Sequence, residues 1–375
     1  MKPFAKPPPN ENGFAAMPPL SAAERKRKRE LLTRPTKPVR IRRGTTVADL
    51  VTQYADASIQ ARNLGSVARV MEKMLTDPKR PTVYLGLAGP LIAAGLRQVI
   101  RDLVASGCVD VVVSTGAILY QDLYQARGGT HWRGTPDADD ATLHGLRVDR
   151  IYDTYVDEEL FWEFDSWCGR IADEMPEGAY SSRAYLAELA KRLDDPESIL
   201  VTCRKRGVPV FSPALNDSSI GIGLTEHRLR MRRQGRAGIR IDSIADNHEI
   251  VQTMVRSRAT AAVYVAGGVP KNWINDGVVM SYLFGRERGH DYAVQVTADA
   301  PHWGGLSGST LDEAKSWGKV GEHAATAMCF VEPSVSLPLV AGYVLQKRLG
   351  TKRPRLRWTW DGEELVGLET RTRGR

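Results

Sequence analysis

The chain has 375 residues, 42% of them hydrophobic, enough to bury one large core or two ordinary ones. No stretch approaches the roughly 18 uncharged apolar residues of a membrane span, and the start, with Pro7, Pro8 and Pro9, lacks a signal peptide's apolar core, so a cytoplasmic globular protein without a membrane partner is expected. The formal charge of +8 sits at the ends: residues 1–43 carry 12 Lys/Arg against 3 Asp/Glu and residues 347–375 carry 9 against 4, leaving a body at −6 that suits a cationic partner and argues against nucleic acid.

Residues 1–20, rich in Pro and Asn, read as disordered, and Glu24 to Glu30 as a solvated helix rather than a polyanion site. Residues 1–43 thus form a basic extension, 44–348 a single folded body, and 349–375 a basic tail. From residue 82, short apolar runs ending in small residues alternate with helical periods. Thr82 to Leu85 is the first strand; it turns at Gly86 to Gly89, and Pro90 opens a helix to about Ser106. Val109 to Val113 is the second strand, followed by the turn Ser114 to Ala117 and a helix from Ile118. Two such units predict an α/β fold, Rossmann-like, with a largely parallel sheet and helices on both faces.

Residues 130–190 read as an insertion of loops and helices. Strands follow at 208–211, 261–266 and 292–297, then the Gly-rich loop Gly304-Gly305-Leu306-Ser307-Gly308 and a helix over about Leu311 to Lys319. A strand near Ala327 to Val331, a helix from Ser334 to about Arg348 and a hairpin around Asp361-Gly362 complete the chain. Cys108, Cys168, Cys203 and Cys329 lack CxxC spacing and read as core thiols. The histidines other than His302 have no metal-like spacing, so no metal is expected and they read as surface or packing residues.

In a parallel α/β sheet, ligands bind beyond the carboxyl ends of the strands, where helix N-termini leave N–H groups free. The turns at Gly86 to Gly89, Thr115 to Ala117, Leu215 to Asp217 and Gly267-Gly268 suit that place, but none is a clean GxGxxG. They fit either a dinucleotide cradle or plain tight turns. Glu313-Ala314-Lys315-Ser316-Trp317-Gly318-Lys319 joins an indole, a glycine and a lysine at a helix end. A lysine desolvated there would lose its proton more readily and attack a carbonyl or imine carbon. The alternative is a surface lysine complementing the helix dipole.

These residues resemble the deoxyhypusine synthase family. Thr82 to Gly95, Asp110 to Ala117, Pro209 to Asp217, Gly267 to Lys271 and Glu313 to Lys319 look like its landmarks in order, over roughly residues 70–348, and the last segment matches the catalytic-lysine motif at all but Lys315. The resemblance implies a redox-neutral transfer. A hydride passes from spermidine to NAD, the imine loses diaminopropane to the catalytic lysine, the aminobutyl group moves to an acceptor amine, and the hydride returns. It makes Lys319 the nucleophile, packs Trp317 against the aminobutyl cation and sets Glu313 on a substrate ammonium. NAD would lie on Gly89, Pro90, Leu91, Ile92, Ala93, Thr115, Gly116, Ala117, Asp217, Gly267, Ala298, Asp299, Glu332 and Pro333. A homotetramer with active sites shared between subunits, its pocket entrance covered by the basic N-terminal segment, is also implied.

Departures from the family concentrate where substrate binds. Tyr120 and Gln121 stand where the family has two glutamates, Ile222 and Leu306 replace aspartates, and Asn272 replaces a histidine. Fewer carboxylates leave fewer partners for ammonium groups. His302 and Trp303 are candidates for replacement contacts in a pocket rebuilt for small amines, with Gly304 and Gly305 as further substrate-binding candidates. Gly267 to Asn272 and Ala300 to Gly305 look like the bacterial deoxyhypusine-synthase-like and homospermidine-synthase-like branch, so that branch is the favoured expectation, with putrescine or a related diamine as acceptor. The alternatives are modification of a translation-factor lysine and a non-catalytic NAD-binding protein.

Overall fold

The computed structural model describes residues 17–371, so residues 1–16 of the stretch read as disordered lie outside the described residues. Met1–Pro38 is one unit. It holds α1 (Ala22–Leu31), wholly exposed and opened by a capping box between Ser21 and Glu24. The second unit is Val39–Arg375, to which everything below belongs.

Two helices, α2 (Val47–Tyr54) and α3 (Ile59–Thr76), lead to β1 (Thr82–Leu87), α4 (Arg97–Ser106), β2 (Val111–Ser114) and α5 (Gly116–Ala126). The helix expected from Pro90 begins only at Arg97. Gly89 (φ +84°) and Gly95 (φ +79°) are left-handed, and residues between them fold as turns. The region read as loops and helices also builds a small antiparallel sheet, β3 (Trp132–Arg133), β4 (Val148–Ile151) and β5 (Thr154–Asp157), ordered β3-β5-β4. Its strands are short and mostly unburied, so no apolar alternation marks them. Around it lie α6 (Asp140–Gly145), α7 (Glu158–Glu174), β6 (Gly178–Tyr180) and α8 (Ser182–Lys191).

Then come α9 (Ile199–Arg206), β7 (Val210–Phe211), α10 (Ser219–Arg233), β8 (Ile239–Ile241) and α11 (Ser243–Arg256). They are followed by β9 (Thr260–Val265), α12 (Gly268–Met280), β10 (His290–Val296), α13 (Leu311–Ser316) and β11 (Val320–Cys329). The chain closes with α14 (Pro333–Gln346) and the antiparallel hairpin of β12 (Arg355–Asp361) and β13 (Glu364–Arg371), which turns at Asp361-Gly362 as read. Among the described residues no helix is long and apolar enough to cross a membrane.

The main sheet has the order β11-β10-β9-β1-β2-β7, and every neighbouring pair is parallel. Strand order thus reverses between β1 and β9, the arrangement of a doubly wound dinucleotide-binding fold. Strand alternation divides the core in two. Val83, Leu85, Leu87, Val112, Val263 and Val294 belong to a cluster with residues of α3, α5 and α14. Tyr84, Val111, Val113, Tyr264 and Ala293 face the other way, into a cluster with residues of α11, α12 and the hairpin. All four cysteines are buried free thiols.

Candidate functional site

The carboxyl ends of the sheet strands gather the turns singled out in the sequence. Strand β1 runs into Gly89 and Pro90, both exposed, after which Leu91 and Ile92 turn into the core and Ala93 donates its N–H to Gln121 Oε1 at 3.2 Å. Thr115, Gly116 and Ala117 follow β2, and the exposed Asp217 follows β7. Gly267 follows β9, the exposed Ala298 and Asp299 follow β10, and Glu332 with Pro333 follows β11. At the reversal between β1 and β9, a Cβ added to Gly89 would meet only Ala266 Cβ, at 4.0 Å. Ala266 itself has φ +59°, a conformation costing a non-glycine residue roughly 1–2 kcal/mol.

Most helices that start at this edge lack a side-chain cap, a feature shared elsewhere by α3. No side chain caps α4, α5, α10 or α12, whereas α7, α8, α9, α11 and α13 are all capped by Asp, Ser or Thr. Uncapped first-turn N–H groups are what an anion needs. The exceptions at this edge are α13, capped by Thr310, and α14, where Glu332 accepts from Ser334 N at 2.8 Å and so caps its own helix.

The lysine motif folds differently from the sequence reading. Helix α13 ends at Ser316, not Lys319, because Gly318 adopts φ +67° and closes a Schellman turn: its N–H donates to Lys315 O at 3.0 Å, and Lys319 N–H to Ala314 O at 3.1 Å. Lys315, paired with Asp312 at 2.7 Å, is the lysine in the last helical turn. Lys319 is the residue that enters β11, and its carbonyl accepts from His290 N–H at 3.1 Å. Its side chain is 15% exposed and points to α12, where Nζ donates to Asn272 Oδ1 at 2.9 Å and pairs with Asp276 Oδ1 at 3.1 Å. Asn272 and Asp276 lie one turn apart on one helix face, and Asn272 Nδ2 donates to Asp276 Oδ2 at 2.8 Å. The Trp317 ring centroid is 5.4 Å from Nζ.

A second lysine supports this niche from below. Lys271, 2% exposed, donates from Nζ to Leu306 O (3.1 Å), Ser309 O (2.6 Å) and Ser309 Oγ (2.9 Å). Burial pushes its ammonium down to about 8; the Glu313 carboxylate opposes that shift and Lys319 adds to it. Those bonds fasten the Gly-rich loop to α12, aided by Gly268 N–H donating to Ser307 Oγ at 3.1 Å and Gln295 Nε2 donating to Ser307 O at 2.7 Å. Gly267 has no room for a side chain there, since a Cβ would meet Ser307 Cα at 2.4 Å.

The structure thus brings together Lys319, Trp317, Asn272 and the Glu313 segment, with Gly304, Gly305 and Leu306 exposed on the adjoining loop. It does not bring Tyr120 or Gln121 to them within one chain. Both are on α5, on the opposite face of the sheet from α12, and the buried Tyr120 hydroxyl donates to Phe161 O at 2.8 Å. His302 and Trp303 stand exposed with ring centroids 4.5 Å apart and make no hydrogen bond to Lys319 among the described residues. Sequence reading missed Asp276 and the anchoring role of Lys271. The i,i+4 spacing of Asn272 and Asp276 on the helix after Gly267-Gly268 was the available signal for the first.

The sequence profile of the deoxyhypusine synthase family matches residues 49–344. "Probable deoxyhypusine synthase 2" of Methanosarcina mazei is 41% identical over 340 residues, covering 89% of this chain and 96% of its own. The "Deoxyhypusine synthase-like protein" of Chlorobaculum tepidum is 42% identical over 315 residues, covering 82% and 89%. A crystal structure from Entamoeba histolytica, assigned as a deoxyhypusine synthase, superposes with a TM-score of 0.56 at 20% identity over 81% of this chain and 94% of its own, a likeness of fold. With that profile covering most of its length, the chain belongs to the deoxyhypusine synthase family.

Proposed function

We propose that the protein is an NAD-dependent aminobutyl transferase that carries the group as an imine on Lys319 and delivers it to a small amine, putrescine giving homospermidine. The observation that carries this reading is the niche around Lys319 Nζ, built from an amide oxygen, a carboxylate and an indole face. These stabilise a positively charged nitrogen, which both the ammonium and the protonated imine are. Desolvation at 15% exposure keeps water from the carbon that the imine would carry.

NAD fits the carboxyl edge of the sheet. The uncapped N-termini of α5, α10 and α12 offer N–H groups to its phosphates, and the open space at Gly89 lets them approach the backbone. When bound, NAD supplies the hydride acceptor for amine oxidation and the donor for the final reduction. The chain's own residues bind, orient and exclude water. With Tyr120 and Gln121 across the sheet from Lys319, a second copy would have to complete the substrate pocket. That separation supports the homotetramer with shared sites implied by the family resemblance.

The test is incubation with NAD and putrescine, spermidine or both, with products identified by mass spectrometry beside Lys319→Ala. Homospermidine that requires NAD and Lys319 supports the reading. A second reading, transfer to a protein lysine, draws on the Methanosarcina mazei relative's name. It takes precedence if spermidine yields diaminopropane and no new polyamine.

A further inference from the structure

We infer that Asp276 is the group that moves protons during transfer of the carried group from Lys319 to the acceptor amine, a role that rests on the lysine-imine reading above. The inference is a matter of counting donors. As an ammonium, Lys319 Nζ has three N–H groups. Asn272 Oδ1 at 2.9 Å and Asp276 Oδ1 at 3.1 Å take two of them, and the Trp317 ring lies beyond. A protonated imine keeps a single N–H, so it cannot serve both oxygens. One acceptor is released just when a second amine must be held against the imine carbon.

Chemistry selects the carboxylate for that amine. The Asn272 amide oxygen can accept a hydrogen bond but does not hold a proton near neutral pH. Lys271 is a cation whose donors are engaged on Leu306 and Ser309, and Trp317 offers only its ring. Glu313 makes no side-chain hydrogen bond to Lys319 among the described residues. Asp276 touches the reacting nitrogen, and its side chain is 42% exposed against 15% for Lys319, so it faces the side from which an acceptor arrives. Its Oδ2 already accepts from Asn272 Nδ2, which fixes the carboxylate's orientation while leaving lone pairs unused.

The step balances within the site. Asp276 takes a proton from the acceptor ammonium, R–NH3+, and the free amine forms the new C–N bond to the imine carbon. Asp276 passes that proton to the lysine nitrogen and then takes a second from the new nitrogen. The C–N bond to Lys319 breaks with its electron pair going to Nζ, which also receives the second proton. R–NH3+ and Lys–NH+=CHR′ have become R–NH+=CHR′ and Lys–NH3+, with atoms and charge conserved and no oxidant or reductant consumed. The restored ammonium again serves both Asn272 and Asp276.

The experiment bypasses NAD. The full-length protein is loaded with butanal, and the Lys319 imine is trapped by borohydride and located by peptide mass spectrometry. Its loss is then followed during a putrescine chase before trapping. In Asp276→Asn, loading persists while putrescine-dependent release slows by about 100-fold, the usual weight of a general acid–base group, and Asp276→Glu recovers part of it. Release within about twofold of the unaltered protein overturns the proposal. So does failure of Asp276→Asn to load with its fold intact by circular dichroism, because the carboxylate would then merely place the lysine. No loading of Lys319 in the unaltered protein instead refutes the lysine-imine reading on which the proposal rests.

Discussion

Replacing Lys271 with Met tests how the Gly-rich loop is held. Burial lowers this ammonium from 10.5 to about 8, which corresponds to roughly 3 kcal/mol of disfavoured charge. Between those two values the unfolded chain binds more protons than the folded one, so stability rises with pH through that window. Below about pH 8 the folded protein carries the whole cost; above it the cost shrinks steadily and is gone near 10.5, where the unfolded chain also loses the proton. Lys271→Met has no such group, and every other titration is common to both proteins. The stability of the unaltered protein relative to the variant should therefore increase by up to roughly 3 kcal/mol between pH 7 and pH 10.5. Urea unfolding followed by tryptophan fluorescence at several pH values measures that difference. A difference independent of pH would refute the assignment of Lys271 as a charged, desolvated anchor. The loop should also loosen at every pH, because the oxygens of Leu306 and Ser309 lose their shared donor, and hydrogen exchange at Ser307 to Ser309 reads this separately.

Gly318→Val forces a β-branched residue to φ +67° at the Schellman turn, costing at least roughly 1–2 kcal/mol, and displaces the entry of Lys319 into β11. A displacement of about 1 Å is enough for roughly 100-fold less imine trapping, whereas Gly318→Asn, better suited to that conformation, should retain most of it; equal trapping in both would sink the argument. Arg353→Met removes one of the two guanidiniums paired with the buried Asp110 carboxylate. Burial raises the Asp110 pKa, but Arg353, Arg80 and the Val83 N–H together outweigh it and hold it below its ordinary value. That variant should lose about 1.5–3 kcal/mol, the weight of a hydrogen bond to a charged group, and expose the β12 amides to hydrogen exchange, since Arg353 also donates to Gly107 O at 3.2 Å and to Pro81 O at the hairpin's base. Unchanged protection would show that the hairpin does not depend on Arg353, its other ties including Gln252, which donates to Glu363 O and accepts from Leu365 N–H, and Arg183, which donates to Gly362 O.

What the sequence made legible follows from how far apart the interacting residues are. The sheet was readable because each buried strand announces itself locally, with β-branched or small residues ending in a glycine or serine turn, as in Val111 to Ser114 and Thr260 to Val265. Its strand order was not, because nothing local says that β9 pairs with β1 rather than β7. The end of α13 was legible in principle: a glycine after Trp317 is an ordinary C-terminal signal, and using it would have placed Lys319 outside the helix and Lys315 inside it. Asp276 was out of reach for a different reason. Lys319 meets α12 across 47 residues of sequence, and periodicity within α12 cannot say which face a distant loop will cover. Yet the polar pair was present in the sequence, one turn apart on a helix otherwise buried through Trp273, Ile274 and Val278. Two polar side chains one turn apart at the half-exposed edge of a mostly buried helix offer acceptors to a cation from elsewhere in the chain. The cationic end of Lys319 meets both, and under the proposed lysine-imine reading its loss of N–H groups would free the pair to act on a second amine.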